Sequence, residues 1–132
     1  MSLSARSTVA CAALALCALP AAAFAASKPK ATLTDGHIAV SSKSATHGKV
    51  TFSVKNSGSV EHELVVIKTS TKASKLKVTG SKASEKGSVG EVELDKGKSK
   101  NLTLNLAKGH YALICNVAGH YKGGMHVDFT VK

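Results

Sequence analysis

Residues 109–132 read GHYALICNVAGHYKGGMHVDFTVK. The stretch alternates apolar and polar residues at both ends and breaks the alternation in the middle. Before the break, Tyr111, Leu113 and Cys115 share one side of an extended chain, and His110, Ala112 and Ile114 share the other. After it, Met125, Val127, Phe129 and Val131 share one side, and His126, Asp128, Thr130 and Lys132 the other. That is the pattern of two strands joined by a loop. Because side chains alternate with period two, each apolar set fixes which face of its strand meets a core. Cys115 and Met125 fall in phase with those sets, so they are expected at the interior end of the two strands. His120 lies in the loop between them, and His126 falls on the polar face.

The same period runs outward through the chain. Val50, Phe52 and Val54 alternate with Thr51, Ser53 and Lys55, and Leu102, Leu104 and Leu106 alternate with Thr103 and Asn105. Leu76 with Val78 and Val92 with Leu94 are shorter versions. The run Leu64 to Ile67 is apolar on both faces, as in a central strand covered on two sides. Turn-formers separate these segments at Asn56-Ser57-Gly58, Thr79-Gly80-Ser81, Lys86-Gly87-Ser88, Asp95-Lys96-Gly97 and Lys108-Gly109. There is no internal repeat and no convincing amphipathic helix. Short strands at this spacing predict an all-β sandwich. Residues 68–90, rich in Lys, Ser and Gly, are expected to form a long crossover with little regular structure.

The N-terminus carries one positive charge, Arg6, then an Ala/Leu run broken by Pro20, then Ala23-Phe24-Ala25. This is the build of a cleavable secretory signal peptide over residues 1–25. The apolar run approaches spanning length, but Pro20 and the small-residue exit favour cleavage over anchoring. Bulky Leu16 disfavours a lipid anchor on Cys17. Cleavage leaves residues 26–132, enough for one domain. It also removes Cys11 and Cys17 and leaves Cys115 alone. An exported protein with one thiol has no internal disulfide to make, which points that thiol to a metal, an intermolecular bridge or a reactive role.

The chain has eighteen Lys and Arg against eight Asp and Glu, a net charge of +10. The lysines are scattered and aromatics are few, so a nucleic-acid surface is not indicated. They protect sheet edges and can attract an acidic partner. Lys122 inside the loop and Lys108 ahead of the preceding strand are expected to steer such a partner toward His120.

Thiolate and thioether are soft ligands, and imidazole suits copper and zinc alike. Structural zinc seldom recruits a thioether, whereas copper accepts a weak axial sulfur beside two histidines and a cysteine. That set needs a second histidine. His62, in NSGSVEHELVVIK (residues 56–68), follows a turn and opens the most apolar strand. His37 flanks the first strand, His47 lies in a Ser/Gly-rich loop and His110 is out of phase with Cys115. These three read as solvated surface histidines.

With Cys115-x4-His120-x4-Met125, accompanied by Gly119, Tyr121 and Gly124, and with Asn56-x-Gly58-x3-His62-Glu63, the sequence resembles the cupredoxins. These are the small blue copper proteins that include plastocyanin, azurin and pseudoazurin. The resemblance implies a Greek-key β-sandwich of about eight strands and one copper ion cycling between Cu(I) and Cu(II). It makes His62, Cys115 and His120 the equatorial ligands and Met125 the axial one, with the His120 edge as the electron's exit. One position departs from the family. Glu63 stands where plastocyanin and azurin have an asparagine that ties the two ligand loops together. This leaves the Glu63 amide to donate to the Cys115 sulfur and Asn116 to stiffen the loop.

The resulting expectation is a soluble, monomeric, periplasmic carrier of single electrons, not an enzyme. Its expected partners are redox proteins such as a cytochrome or a copper enzyme, acidic ones included, with no nucleic acid and no stable membrane insertion. A multicopper oxidase or nitrite reductase needs further histidine clusters, and a binuclear copper domain needs two cysteines in its loop. A cysteine hydrolase needs an exposed sulfur. The competing reading is a periplasmic copper-delivery or copper-buffering protein, although such proteins favour open, Met- and His-rich sites.

Overall fold

The computed structural model describes residues 25–132. The expected leader, residues 1–25, lies outside these apart from Ala25.

Two sheets face each other. The first has the order β2 (His37–Val40), β1 (Lys30–Thr34), β4 (Gly48–Asn56), β9 (Ser99–Leu106). The second runs β3 (Ser44–Ala45), β11 (His126–Val131), β10 (Gly109–Ile114), β5 (His62–Lys68), β8 (Ser88–Leu94). β1 pairs with β4 in parallel, as β11 does with β3, and the remaining pairs are antiparallel. A separate hairpin joins β6 (Val78–Thr79) to β7 (Lys82–Ala83). The described residues thus hold eleven strands where about eight were expected. The excess is the three two-residue strands β3, β6 and β7, which are too short to leave a periodic signal.

The predicted phases decide what is buried. Val50, Phe52 and Val54 enter the space between the sheets from β4. From the opposite sheet come Leu64, Val66, Tyr111, Leu113, Cys115, Met125, Phe129 and Val131. Phe52 and Phe129 meet edge to face across the sandwich, with centroids 5.3 Å apart, a favoured arrangement for aromatic pairs.

The other face of β5 and β10 is also covered. Val65, Ile67, Ala112 and Ile114 form a second cluster with Ala73, Ala83 and Tyr121, which accounts for the two-sided apolar run in β5. The cover is the segment between β5 and β8. It contains a 3₁₀ turn (Ala73–Lys75) and the β6–β7 hairpin, so it is more ordered than its composition predicts. Its apolar residues stand singly among Lys and Ser, each filling one gap against the sheet. A bulge lies where Val66 pairs with Gly90 and Ile67 with Ser88, and it turns the unpaired Val89 outward to 42% exposure.

Candidate metal centre

β10 and β11 end on the pair Ile114–His126. One residue further, the Cys115 amide donates to the Met125 carbonyl at 3.0 Å. Cys115 and Met125 therefore stand opposite each other where the strands part, both fully buried. The intervening loop is wound tightly. His120 N donates to Val117 O (2.9 Å), Gly123 N to Gly119 O (3.0 Å) and Met125 N to His120 O (3.1 Å). Gly124, at φ +107°, sits where a side chain would be strained and would approach the Gly36 carbonyl at 3.1 Å. The loop is thereby pressed onto the β1–β2 turn. On its other side Tyr121 Oη donates to Ala73 O (2.6 Å) and accepts from Leu76 N (3.0 Å), which fixes the loop to the covering segment between β5 and β8.

β5 runs beside β10, with Val65 opposite Ile114. Counting back two residues at a time from Val66 through Leu64 puts His62 on the inner face, at the same end of the sandwich. It is 1% exposed. The donor atoms form a triangle: His62 Nδ1 lies 3.1 Å from His120 Nδ1, and Cys115 Sγ lies 3.7 Å from the first and 3.5 Å from the second. A metal centred among them, with bonds of about 2.0 Å to nitrogen and about 2.3 Å to thiolate, would set these edges near about 3.5 and about 3.7 Å. The two sulfur edges fall close to the second value, and the nitrogen–nitrogen edge, at 3.1 Å, is shorter than the first. Two imidazoles and one thiol converge here, and the buried Met125 pairs through its backbone with Cys115; such a donor set fits copper better than any other common ion. Among the described residues no other group of His, Cys, Asp or Glu converges in this way.

The surroundings act on each donor. Burial pushes the Cys115 thiol up, against the pull of the Glu63 and Val117 amides. The Glu63 amide points at Sγ from 3.4 Å. His120 is held below its ordinary value, first by burial and then by His62. Glu63, at the position where the family's asparagine was expected, still joins the loops: its Oε1 accepts from the Asn116 amide at 3.0 Å. Half-burial pushes this carboxyl up. Asn116 is itself clamped, accepting from Ala83 N (2.8 Å) and donating to Ala83 O (3.0 Å) and Glu85 Oε1 (2.6 Å).

All four expected ligands, His62, Cys115, His120 and Met125, are thus brought to one end of the sandwich. The other histidines are not. His37 is exposed, His47 Nδ1 lies 3.0 Å from Lys132 O, and the His126 ring lies 5.2 Å from that of Tyr121. His110 differs from the solvated residue expected. Both of its nitrogens face acceptors, Thr69 O at 2.6 Å and Asp128 Oδ1 at 2.7 Å. Lys108 departs more sharply, because it precedes β10 and so sits at the far end of that strand from Cys115.

Two residues at the site had no signal beyond turn composition. Asp35 Oδ1 lies 3.0 Å from His62 Nε2. Hydrogen bonds from the Ser59 hydroxyl and amide, then from His62, bring its carboxyl down to about 2. Asp35 and Ser59 line a cavity of about 280 Å³ with Gly36, Val60, Gly119 and His120, and Val60 is 48% exposed there.

A buried His–Cys–His triangle with methionine, placed at one end of a β-sandwich, defines a cupredoxin. Residues 33–132 match the sulfocyanin (SoxE) domain, and the chain belongs to that family. Among solved structures, dithionite-reduced auracyanin from the photosynthetic bacterium Roseiflexus castenholzii aligns with a TM-score of 0.61 at 20% identity, over 82% of this chain and 98% of that one. Rusticyanin from Thiobacillus ferrooxidans aligns with a TM-score of 0.63 at 18% identity, over 80% of this chain and 76% of that one. At such identities the likeness is one of fold. No curated protein sequence matches the chain. Among the described residues no helix is long and apolar enough to cross a membrane.

Proposed function

We propose that the protein binds one copper ion through His62, Cys115, His120 and Met125 and carries single electrons between redox partners in the periplasm. The observation that carries this reading is the triangle of donor atoms, with edges of 3.1, 3.5 and 3.7 Å, held by backbone pairing on three strands. Copper bound there would supply a one-electron couple. The chain's part is to keep the donors still. Cys115 is fixed by strand pairing and by the Glu63 amide, His62 by its place at the head of β5, and His120 by the wound loop. Donors that do not move between oxidation states leave little reorganisation for an arriving or departing electron. Burial of His62, Cys115 and Met125 excludes water and substrate, which favours a carrier over an enzyme. His120 borders the cavity beside exposed Val60, and that edge serves as the exit. The expected leader supports export.

A delivery protein must release its metal by ligand exchange, and three of these four donors are nearly or wholly inaccessible. The test is copper titration of the purified protein. One equivalent should bind and produce an intense visible band on oxidation, from the Cys115 thiolate. Cys115→Ser should lose that band and keep the far-UV signature of the fold. A colourless, tightly bound Cu(II) form of the wild type would instead favour buffering or delivery.

A further inference from the structure

The geometry points to Asp35 as a positioning residue that sets the tautomer of His62 and biases a metal held there toward its more oxidised state. The second half rests on the copper reading above. A neutral imidazole carries one hydrogen, and which nitrogen carries it is decided by the partner of the other. His62 Nε2 faces Asp35 Oδ1 at 3.0 Å. An ionised carboxylate only accepts, so Nε2 holds the hydrogen. The Nδ1 lone pair is then turned toward Cys115 Sγ and His120 Nδ1, where a ligand must point.

Two loops are shaped to make this contact. Ser59 donates its amide to both Asp35 oxygens, at 3.0 and 3.2 Å, and its hydroxyl to Oδ2 at 2.5 Å. This leaves Oδ1 turned to the imidazole. Between them lies Gly58, where a Cβ would stand 2.5 Å from both Asp35 Oδ1 and His62 Nε2. The approach is possible only because no side chain is there. Asn56 holds that glycine in place, accepting from Gly58 N at 2.9 Å and donating to Val60 O at 2.8 Å and Leu94 O at 2.9 Å. A negative charge on the outer nitrogen of a ligand raises its basicity and favours the ion of higher charge. The Asp35 side chain is 54% exposed, so water moderates the effect.

The experiment compares wild type with Asp35→Asn and Asp35→Ala in two states. In the metal-free protein, imidazole ¹⁵N shifts should place the wild-type His62 hydrogen on Nε2, and Asp35→Ala should show a mixture of tautomers. A wild-type hydrogen on Nδ1, or an unchanged tautomer in Asp35→Ala, overturns the positioning role whether or not copper binds. In the loaded protein both variants should lose about tenfold more affinity for Cu(II) than for Cu(I). That ratio corresponds to a rise of about 59 mV in reduction potential for one electron. Potentials equal to wild type overturn the redox bias. Asp35→Asn preserves the shape of the turn. If the contact were only a clip between loops, the variants would lower Tm and leave both tautomer and potential unchanged. Failure of the wild type to bind copper would sink the copper reading and the redox bias, while the tautomer result would stand on its own.

Discussion

At the scale of single residues, His62 is the donor that the rest of the site depends on least locally. It arrives from another strand, 53 positions before Cys115. His62→Ala should therefore leave the β10–β11 loop in place and open one coordination position. We expect the charge-transfer band to weaken or shift and to recover partly with added imidazole. Substituting His37, His47, His110 or His126 should leave the spectrum intact, and optical titration of the five variants checks this. The four residues brought to one end of the sandwich were legible in the sequence: strand phase marks Cys115 and Met125, even spacing marks His120, and a turn ahead of the most apolar strand marks His62. Asp35 was not, because its bond to His62 joins two turns 27 positions apart, and an Asp-Gly pair reads only as a turn signal. At Glu63 the backbone contact was legible, since its amide does point at the Cys115 sulfur. What its identity did not disclose is that its carboxylate accepts from the Asn116 amide across the two loops.

At the scale of elements, the cap between β5 and β8 and the ligand loop support each other through one hydroxyl. Tyr121→Phe removes the acceptor of the half-buried Leu76 amide and the donor to Ala73 O. Leaving such a group unpaired costs about 1–3 kcal/mol. The variant should show that loss in denaturant unfolding and faster hydrogen exchange at Leu76, while it keeps its colour. The cap's second tether is Asp128. Burial raises its carboxyl, but the Ala73 amide and His110 outweigh this and hold it below the ordinary 3.8. Its contribution is therefore present above the ordinary carboxylate range and lost as pH falls through the lowered value. Wild type should lose more stability than Asp128→Asn between pH 4 and acid unfolding, as a series of Tm values against pH would record. The long strands were legible from their period. The cap was not, because Ala73, Leu76, Val78 and Ala83 gain meaning only against the outer face of β5 and β10.

For the whole molecule, charge is sorted by sheet. The four strands of the first sheet contain no acidic residue, while Glu63, Glu91, Glu93 and Asp128 all lie in the second. Composition discloses the lysine excess but not this distribution, nor that Lys108 stands at the end of β10 away from the ligand loop. β10 has six residues and is about 20 Å long at about 3.4 Å per residue. Lys108 is thus roughly two Debye lengths from the loop at 0.1 M salt, where that length is about 10 Å. Lys122→Glu should slow electron exchange with an acidic cytochrome severalfold at low ionic strength, an effect fading as salt rises. Lys108→Glu should change the rate far less. Stopped-flow rates across a salt series decide between them, and equal responses would mean that only net charge matters.

The division of the donors between β5 and the β10–β11 loop also has a meaning in time. Neither half holds the full set, so the site comes into being only when distant stretches of chain have paired, a step that is slow in sheet proteins with non-local contacts. Until then a thiol and several imidazoles are loose on a flexible polymer and open to whatever metal is at hand. Afterwards an ion held by both halves would cross-link them and favour the native state, as any ligand that binds only that state does. An ion bound there would thus add its stabilisation to a site that the folded chain has already assembled.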